Sequence, residues 1–223
     1  MPPKPKYTKE EIVSAAYELT REKGIDAVVA REVGRRLNTS ASPIFTVWNS
    51  MEELRDEVWQ LAKRKFQEYM SDIFDYTPAF KEFGLRWVSF AAEEPNLYRL
   101  LFLSQRNGHS PSVRFRKAFD GFFAPLAAEI MHTFELSEAE AENLLNQMII
   151  FANGVAAFVI SDRDSFSKEA VSRDLSQMCI GAVLVDKLQR GALDLSAAKA
   201  MADSCADGIT PRKKQRGVQC GEV

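Results

Sequence analysis

Residues 8–61 read TKEEIVSAAYELTREKGIDAVVAREVGRRLNTSASPIFTVWNSMEELRDEVWQL, and this stretch decides the fold. Thr8 followed by Glu11 is a capping box, in which the threonine hydroxyl and the glutamate carboxylate satisfy each other's backbone amides at a helix start. Ile12, Ala16 and Leu19 then recur at helical spacing, and Gly24 is placed to end the helix in a left-handed conformation. A second helix is expected from about Val29 to Leu37, followed by the turn Asn38-Thr39-Ser40 and a short helical segment over Ala41–Trp48. Ser50 and Glu53 form another capping box and start a longer helix. Two short helices one tight turn apart make a helix-turn-helix, whose second helix enters a DNA major groove.

The residues resemble the DNA-binding domain of the TetR family of bacterial transcriptional regulators. The resemblance is carried by Ile12–Glu18, Glu22-Lys23-Gly24, Arg31-Glu32-Val33-Gly34, Ser40, Ile44-Phe45, Trp48, and Ser50 with Glu52-Glu53-Leu54. Asn38 stands where the family usually has Gly, and Asn is the next best residue at a left-handed position. Pro43 falls in the first turn of the recognition segment, where a missing N–H is tolerated. Phe45 and Trp48 keep the aromatic bulk of the family's Tyr and Phe, although Phe45 lacks the hydroxyl. Met51 replaces a Lys that often grips the DNA backbone, which calls one phosphate contact per subunit into question.

What the resemblance implies is an all-α chain. It would consist of an N-terminal three-helix helix-turn-helix DNA-binding domain (1–54), a C-terminal helical ligand-binding and dimerisation domain (55–191) and a disordered tail (192–223). Charge is compatible with this division. Residues 1–50 carry eight Lys/Arg against six Asp/Glu, whereas the remainder carries twenty-one against twenty-five, for a net charge of −2. Cys179, Cys205 and Cys220 are widely spaced and read as reduced thiols. The N-terminus has no apolar signal region, and the apolar run Met148–Ile160 is short for a membrane span, so a cytoplasmic location is expected.

Beyond residue 61 the sequence predicts further helices and almost no strand. One continues from Met51 to about Phe74. Thr77-Pro78 is expected to open another, Thr77 as N-cap and Pro78 at N1, with a break at Glu94-Pro95. A short apolar helix follows over Leu97–Leu103, then one from Ser110-Pro111 with a kink near Gly121 and Pro125. Ser137 and Glu140 cap a long helix to Ile160, and the last helix ends at Arg190-Gly191. From Ala192 no pattern is visible, and the basic run Arg212–Arg216 lies in that tail.

The candidate DNA-binding set is Arg31, Thr39, Ser40, Ala41, Ser42, Pro43, Phe45 and Thr46, with Lys4 and Lys6 of the N-terminal arm. Serine and threonine hydroxyls can bond bases or phosphates, and Ala41, Pro43 and Phe45 can pack on thymine methyls. Lys9, Arg35 and Arg36 are further candidates for phosphate or simply solvated charges; Ile44 and Trp48 are expected in the core. The last two long helices are apolar on two faces, which predicts burial against both the subunit and a twin. Val155, Phe158, Leu175, Met178, Ala182 and Val185 are the expected interface. Trp87, Phe90, Phe102, Phe119, Phe122, Phe123, Met148 and Phe151, with Asn153 as polar anchor, are expected to line an effector pocket. Asn153-Gly154 falls where some TetR relatives show His-Gly.

His109 and His132 have no metal-ligand spacing, and the chain has no phosphate loop or nucleophile elbow, so neither an enzyme, a metal nor a cofactor is expected. The resemblance implies a ligand-responsive repressor that binds an inverted-repeat operator in double-stranded DNA as a homodimer. A small apolar or aromatic effector would release it. The alternative is a helical ligand-binding or protein-interaction module with a weakened DNA reader.

Overall fold

Thr8 accepts from the Glu11 amide at 3.1 Å while the Glu11 carboxylate takes the Thr8 amide at 2.8 Å, so the first capping box forms as predicted. It opens α1 (Lys9–Lys23), which Gly24 terminates at φ +86°. The computed structural model describes residues 7–104, 111–162, 167–204 and 210–211. Lys4, Lys6, His109, Cys205, Cys220 and the basic run 212–216 lie outside them, as does the side chain of Phe122.

After α1 come α2 (Ala30–Arg36), α3 (Ser42–Phe45) and α4 (Met51–Tyr69). The recognition helix is shorter than expected. Only residues 42–45 are α-helical, and tight bonds from Val47 N and Trp48 N to Ile44 O, at 3.1 and 2.9 Å, close the remainder as a turn. Thr46 contributes to this tightening by donating its hydroxyl to Pro43 O at 2.7 Å. The second capping box is half made: Ser50 caps Glu53, whereas the Glu53 carboxylate turns to the amide and side chain of Asn49. Helix α4 stops before Phe74, because Arg86 of the next helix takes the Tyr69 carbonyl at 3.0 Å and pairs with Asp72.

The body comprises α5 (Ala79–Glu93), α6 (Pro95–Tyr98), a π-helical turn over Arg99–Leu103, α7 (Pro111–Phe134), α8 (Glu138–Ser161) and α9 (Lys168–Gln189). Helix α5 lies centrally, packed against α7, α8 and α9. Its start differs from expectation. Pro78 is the N-cap residue, and the capping acceptor comes from α7: Glu129 accepts the Ala79 and Phe80 amides at 3.0 and 2.9 Å. The kink in α7 falls at Phe119 (φ −123°, ψ +19°) instead of at Gly121 or Pro125. Ser137 and Glu140 form the predicted capping box of α8.

The expectation of a patternless tail from residue 192 is corrected. Gly191 turns the chain at φ +68°, Asp194 caps the Ala197 amide at 2.8 Å, and α10 (Leu195–Ser204) buries Ala198. In so short a helix the apolar period is too brief to stand out from the sequence. Among the described residues the strand pairing is one two-residue antiparallel ladder, β1 (Tyr76–Thr77) with β2 (Thr210–Pro211).

By length and composition alone α8 could cross a membrane, which the shorter run Met148–Ile160 does not suggest. It opens on a capping box with Glu138 and Glu140 in its first turn, and it packs on α5, α7 and α9.

Candidate nucleic-acid interface

The helix-turn-helix is held from inside by Ile12, Ala16, Leu19, Val33, Ile44 and Trp48, of which Ile44 is fully buried and Trp48 is 6 % exposed. These two therefore serve packing, as the sequence implies. Asn38 takes the left-handed conformation at φ +53°, as anticipated for the residue in the usual glycine place. The closest approach in the motif is at Gly34: a Cβ there would lie 2.7 Å from the Ser40 carbonyl oxygen and 2.9 Å from its carbon. Glycine lets α2 touch the backbone of the turn, and that contact sets where the recognition segment sits.

With Ile44 and Trp48 turned inward, the opposite side carries Ser40, Ser42, Phe45 and Thr46, all exposed, flanked by half-buried Thr39, Ala41 and Pro43. Phe45 is 52 % exposed, an unusual position for a phenylalanine. Arg31 projects from the start of α2 with its side chain 89 % exposed and makes only a long 3.8 Å approach to Glu32. Three other basic candidates among the described residues are engaged inside the chain. Arg35 pairs with Glu32, Arg36 with Glu22, and the Lys9 ammonium lies 4.7 Å from the Trp48 ring centroid. Tyr7 donates to Leu37 O at 2.6 Å, which fixes the root of the N-terminal arm beside α2. Arg55 of α4 donates twice to Val28 O, at 3.0 and 3.2 Å, and ties the loop between α1 and α2 to the fourth helix. Met51 is half-buried and packs on the core, a role that a lysine ammonium would not fill.

The reader is joined to the body at one corner. Arg21 at the end of α1 forms a forked ion pair with Glu94, between α5 and α6, and Asn96 donates its amide to Arg21 O at 2.9 Å. Tyr17 packs beneath, and burial pushes its hydroxyl up to about 12.

In the body, Phe66 of α4 is a hub that sequence reasoning overlooked. Its ring lies 5.0–5.6 Å from the rings of Trp87, Phe90, Phe102 and Phe119, meeting them edge to face. The spacing Val58, Ala62, Phe66 on one face of α4 was the available signal. Four of the expected pocket aromatics are thus brought together around one ring. Phe123 and Phe151 are half-buried at the margin of the core, and Met148 is buried. Asn153 joins a buried relay: the Trp87 indole donates to the Tyr98 hydroxyl at 3.0 Å, Tyr98 donates to Asn153 Oδ1, and Asn153 Nδ2 donates to Ile149 O at 2.8 Å. Burial pushes the Tyr98 hydroxyl far above the ordinary tyrosine range, so it stays a donor.

The expected interface residues are distributed unevenly. Phe158 and Val185 are 78 % and 55 % exposed, and Val155, Met178 and Ala182 are half-buried. Leu175 is corrected to a core residue: it is 2 % exposed and sits over Gly84 of α5, where a Cβ would come 3.2 Å from Leu175 Cδ1. Ile150 of the same helix as Phe158 is 72 % exposed as well. A solvent-open groove of about 390 Å³ runs between α8 and α9, lined by Glu140, Asn143, Gln147, Val185 and Asp186 among others, and by none of the expected pocket residues. Among the described residues no group of three or more His, Cys, Asp or Glu is placed to hold a metal ion.

No curated protein matches the chain significantly. Residues 12–58, from the first buried isoleucine of α1 to Val58 of α4, match the family described as bacterial regulatory proteins, tetR family. The match spans the two packed helices, the Asn38 turn and the Gly34 contact, so residues 12–58 carry a helix-turn-helix domain similar to that family's, and the chain is a DNA-binding transcriptional regulator.

Proposed function

We propose that this regulator is a homodimeric cytoplasmic repressor that binds an inverted-repeat operator and is released by a small apolar or aromatic effector. The observation that carries the DNA part is the two-sidedness of the recognition segment, with Ile44 and Trp48 locked inside and Ser42, Phe45 and Thr46 left exposed. One such segment without an arginine fork yields about 1–3 kcal/mol per good base contact, too little for a specific site. Two copies on one duplex multiply the affinity, which favours a dimer.

Support for the dimer lies in α8. Gln147, Ile150, Gly154, Ala157, Phe158 and Ser161 are exposed at helical spacing and include no charge. A surface stripe of this kind suits contact with a second copy through α8 and α9. Support for an effector lies in the aromatic cluster beside the Tyr98–Asn153 relay. This cluster stands directly behind α6, and α6 follows the corner that grips Arg21 of the reader. A ligand that rearranged the rings would move α6 and, through Glu94 and Asn96, α1; about 1–3 kcal/mol of coupling makes a useful switch.

The test is selection of bound duplexes from random DNA by the full chain at two salt concentrations. An inverted repeat with steeply salt-dependent affinity is expected. Recovery of no specific sequence would overturn the operator reading and leave a helical ligand-binding or protein-interaction module.

A further inference from the structure

We infer that the operator half-site is read at A·T base pairs, with Phe45 against a thymine methyl and Thr46 accepting a hydrogen bond from adenine N6. This rests on the regulator reading and goes beyond it by naming the base chemistry. Thr46 has a single hydroxyl proton, and it is committed to Pro43 O at 2.7 Å. What the exposed oxygen retains is acceptor capacity. The major groove offers a donor at only two places, adenine N6 and cytosine N4.

Phe45 discriminates between these. Its exposed ring has no polar atom, and the apolar feature of the major groove is the thymine C5 methyl. An A·T pair presents both the methyl and the N6 donor, whereas a C·G pair presents a donor beside a bare C5. Adjacent residues of a helix point about 100° apart, so the two contacts can fall on neighbouring A·T pairs.

Guanine, the usual target of specific contacts, finds no bidentate partner in the recognition segment. Residues 39–48 contain no Arg, Lys, Asn or Gln. Arg35 and Arg36 are paired with Glu32 and Glu22, and the Asn49 amide is held by Glu53 at 3.2 Å.

The experiment replaces each thymine of the selected operator by uracil, one symmetric pair of positions at a time, and measures binding to the full chain. Uracil pairs identically and lacks only the methyl. Loss of one buried methyl is expected to weaken binding about fourfold per half-site, hence about fifteenfold when both half-sites change. Phe45→Ala, which alters an exposed side chain and leaves the helical circular-dichroism spectrum intact, should abolish the uracil penalty. Thr46→Val keeps the shape and should abolish discrimination between adenine and its analogue lacking N6. An operator bound specifically, with uracil tolerated at every thymine, would overturn the inference while leaving the regulator standing. Recovery of no operator would instead overturn the regulator reading on which it depends.

Discussion

Gly34→Ala should weaken operator binding far more than it weakens the fold. In α2 the added Cβ would meet the Ser40 carbonyl oxygen at 2.7 Å, about 0.7 Å short of the 3.4 Å at which ordinary contact begins. The neighbouring atoms, Ser40 C at 2.9 Å and Thr39 O at 3.0 Å, are backbone too, so no side chain can swing aside. Overpacking of this kind costs about 1–3 kcal/mol. Alanine in a helix interior returns about 1 kcal/mol relative to glycine. The net destabilisation is therefore about 1 kcal/mol, and the melting temperature should fall by about 2–4 °C for a chain of this size. Relief of the clash must push the turn, and the recognition segment with it, away from α2. A shift of several tenths of an ångström would misplace the base contacts of each reader in the proposed dimer, and operator affinity should drop at least tenfold while self-association is unchanged. Thermal unfolding and operator titration on the same preparation decide the matter. A melting temperature that rises, as for an unobstructed Gly→Ala change, together with full operator affinity, would refute the reasoning that this contact positions the reader.

Tyr98→Phe removes the hydroxyl that links Trp87 to Asn153 and should cost about 1–3 kcal/mol in denaturant unfolding; an unchanged midpoint would show that the relay contributes nothing. Glu129→Ala takes away the acceptor of two α5 amides and should cost about 1–2 kcal/mol, with Glu129→Gln intermediate. Gly154→Ala, at a helical site with nothing within 4 Å inside the subunit, should stabilise the isolated subunit by about 0.5–1 kcal/mol yet weaken self-association measured by sedimentation. The Asp72 carboxyl is held below its ordinary value near 3.8 by the Arg86 hydrogen bond. Its contribution to stability is present above that value and lost as pH falls through the lowered one. Asp72→Asn should therefore flatten the acid limb of the stability profile below about pH 4.

Local signals were readable wherever the chemistry is local. The capping boxes at Thr8-Glu11 and Ser137-Glu140, the ends at Gly24 and Gly191, and the Asn38 turn each use residues three or four apart, and all were legible. The burial of Ile44 and Trp48 followed from periodicity combined with the family resemblance. Less legible were features whose partners are distant in sequence. Glu129 caps a helix fifty residues upstream, and Thr77-Pro78 looked sufficient by itself to start α5. Leu175 belongs to an apolar stripe, but whether a stripe faces the subunit or a twin depends on Gly84 allowing α9 to come close to α5. The candidate site divides in the same way. Exposure of Phe45 follows from Ile44 being inside, whereas the engagement of Arg35, Arg36 and Asn49 by nearby carboxylates emerges only once rotamers are fixed.

The sequence by itself determined that this chain is helical and that its first sixty residues present a helix-turn-helix, because helix period, capping and turn conformation are encoded within a few residues. Only the tertiary structure decided that Phe66 gathers the aromatic rings, that α8 leaves Ile150 and Phe158 uncovered, and that the Thr46 hydroxyl proton goes to Pro43 O. Those outcomes depend on which of several apolar faces pack together and where each proton goes. Close packing and hydrogen-bond satisfaction settle such questions across the whole fold at once.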